Sequence, residues 1–170
     1  MDRVCIFIDG SNLYRSMKAQ CARTDLDFGA FAQELVGSSR RLVRTYYYTA
    51  MVRDDKTRMQ KQQRFLDRLR MTPYFEVRLG RLEPRGGTYV EKGVDVQIAV
   101  NMLSMAFRRV YDTAILVSCD GDFADAVQAV QDLGLHVEVA CFRKAYRLKQ
   151  VADKVILLNT QALEGLWLTP

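Results

Sequence analysis

Short apolar runs of strand length alternate with amphipathic helical stretches along the whole chain. Residues 4–8 (VCIFI) are apolar without a break, the pattern of a strand covered on both faces. They run straight into Asp9-Gly10-Ser11-Asn12, and a helix is expected over 11–22 with Ser11 or Asn12 as its N-cap. A second helix is read over 28–36, where Phe28, Phe31, Ala32 and Leu35 share a face. Residues 42–50 (LVRTYYYTA) are rich in β-branched and aromatic residues and read as a strand.

A long helix follows over 54–71. Met59, Gln62, Phe65, Leu66 and Leu69 fall on one side of it, and Thr57, Lys61, Arg64 and Arg68 on the other. After a strand over 74–79, residues 80–93 hold four of the ten glycines and are expected to form a mobile loop or a short hairpin. Residues 94–107 are apolar nearly all round and predict a deeply buried helix, which makes Asp95 in its first turn unusual. A strand at 114–117, a helix at 123–133 and a strand at 136–141 complete the main pattern. A short basic helix (145–150), a last strand (154–158) and a turn (162–166) follow.

Strands alternating with helices imply right-handed crossovers and a sheet covered on both faces. The expected architecture is one α/β domain over 1–170, three-layered and doubly wound around a central, mostly parallel sheet. In such folds ligands bind beyond the carboxyl ends of the strands, where the strand order reverses. Asp9 and Asp120 both stand at such ends. If their strands are neighbours, the two acids face each other across the crevice.

Composition narrows the chemistry. With 49% hydrophobic and 26% charged residues, the 170-residue chain has the profile of a globular domain. The first apolar run is too short for a signal segment or a membrane span, so a cytoplasmic location is the expectation. Four cysteines without C-x-x-C spacing and a single histidine argue for reduced thiols rather than disulfides or zinc. The net charge of +5 is unevenly spread, with ten Lys/Arg against three Asp between Arg40 and Arg70. A basic surface beside an acidic site suits a phosphodiester substrate, although a solvated helix face would look the same.

The candidate chemistry lies in Asp9, Asp95, Asp120 and Asp122. Carboxylates gathered together repel, and a divalent cation relieves the repulsion. Magnesium suits an oxygen-only site and can promote attack of water on a phosphodiester. Each acid also has an ordinary explanation: Asp122 as a helix cap, Asp95 as a complement to a helix dipole, and Asp9 and Asp120 as turn formers. Phosphate-cradling glycine motifs are absent, and one histidine cannot supply a paired-histidine ribonuclease. If the chain is a hydrolase, it is a metal-dependent one.

Three motifs in order, IDGSNLY (8–14), KGVDV (92–96) and VSCDGDF (117–123), resemble the NYN domain of the LabA group of PIN-like proteins. The resemblance runs from residue 4 to about residue 158. It implies a PIN-like fold and a Mg²⁺- or Mn²⁺-dependent endoribonuclease site. Residue by residue, it matches Asp9, Asp95, Asp120 and Asp122 to metal-binding acids, Asn12 to a partner of the first carboxylate or of substrate, and Lys92 to a phosphate-facing lysine. Cys119 stands where many relatives have glycine, and Asn101 where many have an acid. On this reading RNA is the substrate, Arg53 and Lys56 add phosphate contacts, and Tyr14, Tyr48 and Phe123 are candidates for base stacking or for the core. A homodimer is possible and no membrane partner is expected. The alternatives are a non-catalytic RNA-binding or regulatory scaffold, and a small-molecule phosphatase using the same acids.

Overall fold

The computed structural model describes residues 1–142 and 145–169. Six strands form one sheet: β1 (Arg3–Asp9), β2 (Arg41–Thr49), β3 (Phe75–Leu79), β6 (Thr113–Val117), β7 (His136–Cys141) and β8 (Lys154–Leu157). Two more, β4 (Arg81–Arg85) and β5 (Thr88–Lys92), pair separately as an antiparallel hairpin. The sheet order is β3-β2-β1-β6-β7-β8, and every neighbouring pair in it is parallel. The chain therefore winds outward from β1 in one direction, returns, and winds outward in the other. The reversal falls between β1 and β6, where Ile8 sits beside Val117.

The strand alternation divides the core into two layers. Val4, Ile6 and Ile8 point into one cluster, beneath α1 (Gly10–Cys21), α2 (Phe28–Val36) and α3 (Lys56–Met71). Cys5 and Phe7 point into the other, beneath α4 (Val94–Phe107), α5 (Ala124–Asp132) and α6 (Tyr146–Val151). All four cysteines are free thiols, as expected from their spacing. Burial pushes the Cys5 thiol up to about 12 and Cys141 up to about 11, so neither is a nucleophile near neutral pH.

Several expectations need correcting. The N-cap of α1 is Asp9, whose Oδ1 accepts from the Asn12 N–H at 3.1 Å; neither Ser11 nor Asn12 caps the helix. The aspartate closes the strand and opens the helix at once, so no spacer residue intervenes. Residues 80–93 resolve as the hairpin, turned by Gly86 and Gly87 at φ of +54° and +82°, the left-handed pair that suits a two-residue turn. Helix α4 has the expected bounds but is not buried all round. Val94, Ile98, Met102 and Met105 are buried, whereas Val96, Val100, Leu103 and Phe107 are exposed. Its low charge comes from an uncovered apolar face, not from full enclosure. Among the described residues, no helix is long and apolar enough to cross a membrane.

Candidate active site

The site is assembled where β1 and β6 end side by side. Asp9, the last residue of β1, is 5% exposed. Its Oδ2 faces the Ser118 hydroxyl at 3.4 Å, just past the end of β6. Ser118 Oγ also accepts from the Asp120 N–H at 3.1 Å, and Asp120 Oδ1 accepts from the Asp122 N–H at 2.9 Å. Asn12 closes the loop: its side-chain Oδ1 accepts from the Cys119 N–H at 3.0 Å. These bonds lace the first turn of α1 to the turn after β6, and they fix Asp9 and Asp120 in one frame.

Asp120 has a second local task. It caps a 3₁₀ turn over Gly121–Phe123 that leads into α5. Asp122 was open to reading as the cap; instead its own N–H is the one capped, and its carboxylate is exposed. Asp95, in the first turn of α4, joins the group from the helix layer that also holds α5, opposite α1. Burial holds its acidity weaker than usual, the negative charges of Asp120 and Asp122 add to this, and Arg15 on α1 works against it. Three of the four acids therefore feel one another, and the fourth is tied to them through Ser118 and Asn12.

The basic residues are distributed differently from the expectation. Lys92 Nζ lies 3.3 Å from Glu83 across the hairpin, so its charge is partly answered there. Arg53 stacks its guanidinium over the Tyr89 ring at 5.7 Å, tying the β2–α3 connection to that hairpin. Lys56 is exposed at the first residue of α3. Two arginines that spacing did not single out stand nearer the acids. Arg15 is one, and it shares a helix face with Asn12 three residues earlier. The other is Arg147 on α6, whose Cβ and Cδ lie 3.3 and 3.4 Å from where a Gly121 side chain would begin. Only the fold brings Arg147 to the Asp120–Asp122 turn, so no local signal could have found it.

Two aromatic candidates for base stacking are removed. Tyr48 is fully buried, with its hydroxyl accepting from Asn101 Nδ2 at 3.1 Å, and Phe123 is 2% exposed. Asn101 thus serves the hydroxyl of a buried tyrosine. Tyr14 alone of the three is exposed, at 50%.

Whether a divalent cation suits this place can be judged from the donors. All are carboxylate or amide oxygens, and the raised pKa of Asp95 comes first from burial and then from the negative charges of Asp120 and Asp122, which a cation would offset. Among the described residues, no trio of His, Cys, Asp or Glu is closed into a ready-made cage. That is compatible with magnesium, which keeps several waters and is often held by one or two carboxylates plus substrate phosphate. A zinc-type enclosure would not be.

The strain on Asp95 has a measurable consequence. Its folded pKa lies above the unfolded one, so the metal-free protein loses stability as pH rises through that window and regains it as pH falls. Asp95→Asn removes the charge and should raise the melting temperature of the metal-free protein by about 1–2 °C at neutral pH, a figure discounted for partial exposure. The same substitution at a pH below the carboxylate range should give no gain, which thermal melts at both pH values will read.

Residues 3–159 match the NYN domain family. Over 169 residues the chain is 29% identical to the low amplitude and bright protein LabA of Synechococcus elongatus, spanning 92% of this chain and 84% of that protein. Among solved structures, a protein of unknown function from Vibrio parahaemolyticus superposes with a TM-score of 0.77 at 25% identity. That match covers 98% of this chain and 96% of the other.

Proposed function

Because this chain belongs to the NYN domain family, a family of PIN-like nucleases, we propose that it is a metal-dependent endoribonuclease acting at Asp9, Asp95, Asp120 and Asp122. The observation that carries this reading is the meeting of strand-end acids at the β1–β6 reversal, with Asp95 of α4 close enough to Asp120 and Asp122 to feel their charges. Asp9 and Asp120 would be the principal holders of Mg²⁺ or Mn²⁺, and Asp95 and Asp122 would complete the shell or position the attacking water. The bound cation supplies charge stabilisation on the phosphodiester and a more acidic water. Asn12 fixes the loop that carries Asp120. Arg15 and Arg147 flank the acids and meet non-bridging phosphate oxygens, a role in which the planar guanidinium is favoured. Lys92, Arg53 and Lys56 contact phosphates further along the strand. Water, not the ribose 2′-hydroxyl, attacks, so the products carry a 5′-phosphate and a 3′-hydroxyl.

Metal binding is tested apart from catalysis. A cation that binds only the folded state stabilises it by about 2.7 kcal/mol at a hundredfold excess over its Kd. Saturating Mn²⁺ should therefore raise the melting temperature of the wild type by several degrees and leave that of Asp120→Asn nearly unmoved. An unshifted wild-type melt at millimolar Mn²⁺ would remove the metal from the proposal.

A further inference from the structure

We propose that the outer face of α4 is a self-association surface, on which a second copy of this chain docks helix against helix and antiparallel. This goes beyond the nuclease reading and does not depend on it. The 14 residues of α4 include a single charge, Asp95, whereas the 16 of α3 include seven. Opposite the face packed on the sheet, Val96, Val100, Leu103 and Phe107 are 66%, 57%, 40% and 76% exposed. Neighbouring positions on that side, Gln97, Ala99 and Ser104, are uncharged. A solvent-facing helix surface of this kind marks an interaction site.

The pattern identifies the occupant. Steps of four, three and four residues make one seam of a coiled-coil pair. Read backwards, the steps are the same, so the seam fits itself when the second helix is reversed. In that register Val96 meets Phe107 and Val100 meets Leu103, a smaller side chain against a larger one at each level, as close packing requires. A parallel copy would set phenylalanine on phenylalanine at one end and valine on valine at the other, and would align the helix dipoles. The antiparallel sense also keeps the exposed Arg108 and Arg109 of the two copies at opposite ends of the seam, where a parallel pair would set them side by side. Nucleic acid is a poor occupant, because α4 offers no lysine or arginine to its phosphates.

The seam is about 16 Å long, so the interface lies at the small end of the range. Sedimentation equilibrium of the full chain from ~1 to ~200 µM should show a monomer–dimer equilibrium. Val100→Glu and Leu103→Glu, both at exposed positions, should stay monomeric throughout and keep the wild-type circular dichroism spectrum. Orientation is read by cross-linking. In the antiparallel register two copies of residue 100 lie about 4–5 Å apart along the axis, and two copies of residue 96 about 16 Å apart. Val100→Cys should therefore oxidise to a covalent dimer and Val96→Cys should not. A wild type that is monomeric at ~200 µM overturns the proposal, as does a dimer that survives Val100→Glu. Equal cross-linking at both positions overturns the antiparallel arrangement.

Discussion

Asp9→Asn should lower RNA cleavage by ~10³-fold or more and leave the stability of the fold almost unchanged. The two effects separate because Asp9 has two tasks. As N-cap of α1 it needs only an acceptor oxygen for the Asn12 N–H, and asparagine caps as well as aspartate. As the buried acid beside Ser118 it needs its negative charge, which the amide lacks. Asp9→Ala would remove both, adding a loss of about 1 kcal/mol for the missing cap. Single-turnover cleavage of a labelled RNA together with thermal melts distinguishes the tasks. Unimpaired cleavage by Asp9→Asn would reduce Asp9 to a helix cap.

Gly10→Ala costs about 2–3 kcal/mol of stability, seen as a melting temperature lower by roughly 4–10 °C. A Cβ on Gly10 would stand 2.4–2.6 Å from three atoms of the Tyr47 ring end. That ring cannot easily yield. It is 5% exposed and packed edge-on against both Phe28 and Phe65, with centroids 5.4 and 5.5 Å away. The relief must come from the β1–α1 junction itself, which carries Asp9. The variant should therefore lose cleavage beyond what its folded fraction explains. A melt within 1 °C of wild type would show that the aromatic cluster is looser than its geometry indicates.

The two central strands were legible because they are nearly continuous apolar runs closed by a polar break, and β2 by its β-branched and aromatic content. The bounds of α2 and α4 follow directly from caps and from Gly37 and Gly93. That Asp9 and Asp120 stand at strand ends was also legible; that β1 and β6 are neighbours depends on strand order, which the fold supplied. What lay out of reach was whatever depends on which face of an element is covered. The apolar surround of α4 suggested burial, yet one side of it is open, because hydrophobic periodicity does not say how many neighbours a helix has. Tyr48 and Phe123 looked available for stacking until their strand and turn were set against α4 and α5. Arg147 packs against Gly121 from α6, twenty-five residues after Asp122 in sequence, and only tertiary structure brings it to that turn. Lys92 looked free in a glycine-rich stretch, but the hairpin supplies Glu83 as its partner.

The central claim is that the acids at the β1–β6 reversal cleave RNA with a divalent cation. The most direct measurement incubates 5′-labelled single-stranded RNA with Mn²⁺, Mg²⁺ or EDTA, comparing the wild type with Asp120→Asn. The account predicts internal cleavage in Mn²⁺ or Mg²⁺, 3′-hydroxyl ends on the labelled products, no cleavage in EDTA, and none by Asp120→Asn in any condition. Cleavage that persists in EDTA or in Asp120→Asn would contradict it. So would an inert wild type whose melting temperature nonetheless rises with Mn²⁺, tested on single-stranded and structured RNA alike; the chain would then be a metal-binding scaffold rather than an enzyme.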